Sequence, residues 1–307
     1  MMKYMRLYLP LTVVLFTFMF FAGCKKNNDV VNPSNNNIIT TPDVSSTTDV
    51  AYAVAANLAI DNGGTIEDMS DVLNVASSDG IQASDMTGML NFGNSHTGVT
   101  KSYDSLTGWW TVTVARHRGN VNGLYYANYS RVYKIQFLNQ NGVFQKLYIT
   151  NNDTAYVINH QIVSGTGILN TPKVSHQLTG LSAAWTVTGA NLPKVTINTT
   201  APYVRAVSDT MTRNNSIRTL NGTLTLNFIN VVGPRGCPLN WHRDISGTVD
   251  GTYHAVTTFQ KGATYKDSTI DKTIHIVFGK QTNKQIAEVD VSGIVYYVDV
   301  ETGDITQ

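Results

Sequence analysis

The 307-residue chain predicts a mainly β fold: one large antiparallel sheet, a sandwich or an open, curled barrel-like form, with a short helical N-terminal segment packed on it. Three observations predict it. From about Tyr103 onward apolar residues recur at every second position, the period of a strand with one buried and one wetter face. The segments are separated by turn-forming residues and not by helical stretches, which excludes the crossover connections of a parallel sheet. A period near 3.6 is confined to residues between 48 and 76.

In chain order, the first element is a leader. Met1 to Arg6 carries Lys3 and Arg6 and no acid, and Leu7 to Ala22 is apolar apart from Pro10, Thr12 and Thr17. Such a run has the length of an export signal and falls short of the roughly 20 residues a spanning helix needs. It ends in Phe21-Ala22-Gly23-Cys24, which resembles the lipobox of bacterial lipoproteins, with Phe21 departing from that family's aliphatic first position. The resemblance covers residues 1 to 26 and implies cleavage before Cys24, a diacylglycerol on its sulfur and an acylated new amine. Two or three chains, at about 0.8 kcal/mol per buried methylene, hold durably where one exchanges. Lys25 after the modified cysteine, where an aspartate is that family's inner-membrane retention signal, implies the outer membrane. Surface exposure stays open, as Lys25-Lys26-Asn27-Asn28-Asp29 only loosely resembles a surface-export run.

The expected organisation is therefore a signal peptide at 1–23, a flexible tether at 24–47, short helices and a loop at 48–96, and the antiparallel β domain at 97–307. The tether is rich in Asn, Ser and Thr and carries Pro33 and Pro42. As a flexible coil it spans roughly 25 to 30 Å. A first helix follows, with Thr48-Asp49 as a cap, Val50, Val54 and Leu58 on one face, and Asn62-Gly63-Gly64 as a stop. A second helix starts at a Thr65 cap, places Glu67 and Asp68 at a positive N-terminus, and lines up Ile66, Met69, Val72, Leu73 and Ala76. Two such short helices need a sheet to pack on.

About a dozen alternating segments make up the rest. Trp110, Val112 and Val114 share one phase, as do Leu224, Leu226 and Phe228, and Ile274, Ile276 and Phe278. Turns are expected at Gln140-Asn141-Gly142, at Ser246-Gly247, at Gly251 and at Thr302-Gly303. In "AEVDVSGIVYYVDV" the apolar phase slips after Val291, which predicts a bulge at Ser292-Gly293 within a continuing strand, or a strand covered on both faces.

Charge excludes one function class. Lys3 and Arg6 leave with the signal, so 20 of 22 basic residues face 21 acidic ones, and no basic footprint for nucleic acid exists. The two cysteines, Cys24 and Cys237, give the body no internal disulfide, so a core of apolar side chains must hold it.

Candidate chemistry is sparse. The seven histidines lack metal-ligand spacing, and Arg116 and Arg118 flank His117, so no metal is expected; no cofactor motif is present either. Asp299 to Asp304 lacks the twelve-residue calcium set and reads as a turn. Sequons at Asn128, Asn152, Asn198, Asn214 and Asn221 read, behind a lipobox, as an Asn/Thr-rich β surface. The loop at 233–244 brings Cys237, Trp241, His242 and Asp244 together, and a Cys-His pair is a nucleophile only when the two side chains touch. Aromatics remain: Trp109, Trp110, Tyr125 and Tyr126, with Tyr129 and Tyr133 nearby, where adjacent pairs must point to opposite faces. Exposed members would stack on a glycan or meet a protein partner. The expected function is thus a non-enzymatic binding module anchored to the envelope membrane through Cys24, with Trp109, Trp110, Tyr125, Tyr126, Trp241 and His242 as candidate contacts. The alternative is an envelope hydrolase whose site is assembled from loops including 233–244.

Overall fold

A computed structural model of the chain describes residues 47–76, 81, 96–172, 174–213, 215–236 and 241–306. The leader, Cys24, nearly all of the tether, most of the loop after the helices, and Cys237 lie outside these residues.

Two helices open the body, α1 (Thr47–Leu58) and α2 (Thr65–Val75). The strands follow: β1 (His96–Asp104), β2 (Trp109–Gly119), β3 (Tyr126–Leu138), β4 (Phe144–Gln145), β5 (Ile149–Thr150), β6 (Asp153–Thr154), β7 (Val157–Asn170) and β8 (Val174–Thr188). Then come β9 (Lys194–Arg213), β10 (Ser216–Pro234), β11 (Ser246–Lys261), β12 (Thr264–Phe278), β13 (Ile286–Val291), β14 (Ile294–Asp299) and β15 (Ile305–Thr306). A 3-10 turn, Trp241–Arg243, lies between β10 and β11.

The expected fold class holds: thirteen strands form one open antiparallel sheet in which successive long strands are spatial neighbours, with β4 beside β3 and β5–β6 a separate short ribbon. The sheet is curled around the helices. Ile60 shows this, since its carbonyl accepts from Arg118 of β2 while its N–H donates to the Val300 carbonyl just after β14, near the opposite end of the strand order. Both helices are buried almost all round, so they act as core filling, and Val50, Val54, Leu58, Ile66, Met69, Val72 and Leu73 belong to the same apolar cluster as the inward residues of β2 to β14. Each such side chain contributes about 1.5–3 kcal/mol by leaving water.

Local chemistry explains the elements and corrects several expectations. Helix α1 starts at Thr47, so Thr48 and Asp49 sit inside its first turn; the hydroxyls of Thr47 and Thr48 meet Tyr296 Oη at 3.1 and 3.2 Å, and Asp49 pairs with Arg218. Thr65 is not a cap either. Gly64 holds that position without a side-chain bond, and the Thr65 hydroxyl donates to the Asn57 carbonyl at 3.2 Å. The stop at Asn62-Gly63-Gly64 holds, with Gly63 at φ 66° and packed so tightly under the Tyr129 ring that a Cβ would collide with it.

Ser292-Gly293 is a hairpin turn and not a bulge. Both residues have positive φ, 51° and 89°, and Val291 pairs with Ile294 across them. A two-residue loop shifts the apolar phase by one, which is the slip seen in the sequence. Gly251 is not a turn: β11 runs through it opposite Leu226, where a Cβ would strike the Thr225 carbonyl. Ser246-Gly247 likewise opens β11 beside an irregularity in its pairing with β10. The turns at Gly142 and Gly303 are formed as expected, with φ 75° and 77°.

Candidate functional site

The first chemistry-bearing arrangement lies inside the curl. Helical spacing puts Glu67, Asp68 and Asp71 of α2 toward the inner face of the sheet, and the strands answer with arginines. Arg118 pairs with Glu67, Arg116 Nη1 reaches Asp71 Oδ2 at 3.0 Å, and Arg131 Nε reaches Asp68 Oδ1 at 2.8 Å. Tyrosines complete these carboxylates: Tyr133 donates to Asp71 Oδ2 at 2.6 Å and Tyr203 to Asp68 Oδ2 at 2.9 Å. Arg205 donates from Nε to Asn57 Oδ1 at 2.7 Å and from Nη1 to the Gly63 carbonyl at 3.1 Å.

Its Nη2 stands 3.2 Å from His176 Nε2. Because a guanidinium only donates, that nitrogen accepts, and the His176 proton sits on Nδ1, facing Asp209 Oδ1 at 2.5 Å. Four arginines thus meet three carboxylates, Glu67, Asp68 and Asp71, with Arg205 Nη1 3.8 Å from Asp68 Oδ2 and Asp209 joined through His176, and all of these groups are at most 5 % exposed. Burial pushes the Asp71 carboxyl up against the lowering pull of Arg116. Burial alone would lower Arg116, yet Asp71 and Glu67 outweigh it and raise it. Beside the cluster, His160 lies between Tyr133 and Trp185, at ring distances of 5.0 and 5.7 Å, and burial lowers it to about 3, so it is neutral. This cluster fastens helix to sheet, and its groups are too deeply buried to meet a ligand.

The structure does not gather the six residues singled out from sequence. Trp109 and Trp110 start β2 while Tyr125 and Tyr126 stand at the start of β3, roughly 30 Å away along the same hairpin. Trp110 is buried and its Nε1 donates to the Lys146 carbonyl at 2.8 Å; Tyr125 is half-buried and donates to the Asp61 carbonyl; Tyr126 is buried against His117. Trp241 and His242 are buried in the turn before β11, and His242 Nε2 is 3.6 Å from Glu301 Oε2. Burial lowers His242, against the raising effect of Glu301. The Cys237 half of the candidate nucleophilic pair falls outside the described residues.

A different place is open to solvent. β7 and β8 pair from Val157 opposite Thr188 to Ile162 opposite Ala183, and again from Gly167 opposite Leu178. Between these stretches the ladder parts. Val163 is an extra residue against β3 and Thr179 an extra residue against β9, and such bulges bend strands and re-aim side chains. The result is a groove of about 470 Å³, within the size range of ligand sites. Asn128, Ser130, Thr166, Gln177 and Thr179 supply its polar wall, and Ile168 with the buried Leu178 and Tyr129 supplies the apolar part. Gly167 belongs to the lining, and a Cβ there would collide with the Tyr129 ring; at the adjoining Gly165 a Cβ would stand 2.9 Å from Arg131 Cδ and from Leu181 Cδ2 on the packed side.

Beneath the groove Arg131 repairs part of the lost ladder, donating from Nη1 to the Ser130 and Thr166 carbonyls at 3.1 and 3.3 Å. β9 and β10 also part, between Tyr203 opposite Leu226 and Ile197 opposite Val231. That gap is stitched by side chains, with Phe228 N–H donating to Thr199 Oγ1 at 2.7 Å and Asn230 N–H to Asn198 Oδ1 at 2.8 Å. Sequence reasoning missed the groove, although "SGTG" at 164–167 and Thr179-Gly180 place glycines inside strands, a signal for bulges and close approach. Compared with protein-family models, curated proteins and solved structures, the chain finds no match.

Proposed function

We propose that the protein is a lipoprotein of the bacterial envelope, held at the outer membrane through Cys24, whose β body works by binding a ligand in the groove between β7 and β8. The observation that carries the anchoring is the run from Leu7 to Cys24, an apolar stretch closed by two small residues and a cysteine and followed by two lysines. Among the described residues no helix is long and apolar enough to cross a membrane. Binding is favoured over turnover by the chemistry of the lining. Acid–base catalysis uses a group that titrates near the working pH, whereas the ionisable side chain at the groove, Tyr129, is pushed far up by burial and stays protonated.

The test is metabolic labelling with palmitate, followed by mass spectrometry of the N-terminal peptide. The expected outcome is label on a chain that begins at Cys24 and partitions into detergent, with label and partitioning both lost in Cys24→Ala. An unlabelled chain that still begins at Met1 would end the anchoring proposal.

A further inference from the structure

We infer that the groove between β7 and β8 takes a neutral saccharide. This deepens the binding role proposed above and rests on it. The first ground is charge. The wall consists of two carboxamides, Asn128 and Gln177, and three hydroxyls, Ser130, Thr166 and Thr179. Beneath the groove, Arg131 is committed on all three nitrogens: Nε to Asp68, Nη2 to the Gly63 carbonyl at 2.9 Å, and Nη1 to Ser130 and Thr166. A carboxylate or phosphate entering here would find no charge-assisted donor to replace its water.

The second ground is hydrogen-bonding type. A carboxamide offers a donor and an acceptor side by side, and a hydroxyl offers both on one atom. Sugar hydroxyls, each donor and acceptor, match such a wall group for group. The aliphatic surface of Ile168, which is 36 % exposed, lies at the same opening and can cover the C–H face of a ring.

The third ground is the contrast between the two partings of the sheet. Side chains of the protein itself close the one between β9 and β10. The one between β7 and β8 keeps the amides and hydroxyl of Asn128, Thr166 and Gln177 exposed, while Thr179 Oγ1 donates to the Ala206 carbonyl of β9 at 3.2 Å and has only its lone pairs left to offer. A peptide strand adds itself to a free sheet edge, and β7 and β8 are flanked by β3 and β9.

The experiment is saturation-transfer NMR on the full chain in lipid nanodiscs. The probes are the N-acetylglucosamine disaccharide, cellobiose and maltose, with a digalacturonic acid and an extended Ser/Thr-rich peptide as competitors. Transfer to at least one neutral disaccharide is expected. Thr166→Trp, which fills the groove, should abolish it, and Gln177→Ala, which removes one amide from an exposed position, should weaken binding about fivefold, the loss of one ordinary hydrogen bond. An unchanged circular dichroism spectrum and melting temperature in Gln177→Ala keep the result readable even if Thr166→Trp misfolds.

No transfer to any neutral disaccharide at millimolar concentration overturns the inference. Groove-dependent binding of the acid or the peptide instead overturns the saccharide assignment while leaving the groove as the contact site. Saccharide binding that survives both substitutions overturns the groove itself.

Discussion

Asp61 stands where the α1–α2 turn meets the end of β14, its N–H donating to the Glu301 carbonyl and its Oδ1 buried without a hydrogen-bond partner among the described residues. Burial first, then Glu301, raise its carboxyl to about 7, against the lowering pull of Arg118. An acid whose folded value lies above its ordinary 3.8 binds its proton more tightly in the native state, so its contribution to stability is best below about pH 4 and worsens as pH rises toward 7. His160 acts in the opposite sense. Kept neutral by burial, it opposes unfolding fully only above about 6.5, and that stability is lost as pH falls toward 3. Asp61→Asn should therefore gain stability over the parent at pH 7.5 and little or none at pH 4.5, read as urea midpoints. An equal shift at both pH values would show that Asp61 does not titrate in this window. Nothing in the sequence marks Asp61, since "AIDNGG" reads as an ordinary polar helix stop, and its environment is made by Glu301, 240 positions away.

The strands and helices were legible because burial writes its period into them. Trp110, Val112 and Val114, or Ile274, Ile276 and Phe278, alternate as a one-face-buried sheet demands, and both helices fall where the 3.6 period lies. What escaped was charge in the apolar phase. Arg116 and Arg118 continue the inward phase of Val112 and Val114, Arg131 lies between Tyr129 and Tyr133, and Arg205 between Tyr203 and Val207. Read as residues flanking a histidine, Arg116 and Arg118 looked only like obstacles to a metal. In the fold they are the sockets for the acids of α2, whose Glu67 and Asp68 looked like helix-dipole partners. Asp68→Ala should cost about 3–5 kcal/mol in urea unfolding, because Arg131 is left buried with no carboxylate. The exposed cross-strand pair His254–Asp271 is the control, and Asp271→Ala should change stability by no more than about 0.5 kcal/mol. Equal losses in the two variants would contradict the fastening role of the cluster.

At the scale of the whole body, the sequence places short helices within 48–96 and packs them on a sheet at 97–307, and the packing makes one core of the two. Val50, Leu58, Met69 and Leu73 share a cluster with Val114, Tyr133, Tyr203, Leu224 and Tyr296, and the ion pairs of α2 reach β2, β3 and β9. An open sheet of long strands has no second sheet to cover its inner face, so the helical pair takes that part. Without it, Tyr133 and Tyr203 lose both their apolar cover and the carboxylates that hold their hydroxyls, and four arginines face one another across the curl with their α2 partners gone. A chain lacking residues 47–76 should therefore lose its cooperative thermal transition and bind a hydrophobic dye, while Asp271→Ala keeps the sharp transition of the parent. The helices cannot fold alone, being too short to hold their hydrogen bonds in water, so the dependence runs both ways. A sharp transition in the truncated chain would mean that the sheet closes its own core, and the curl would then owe its form to the bulges of β7 and β8 instead of to the helices inside it.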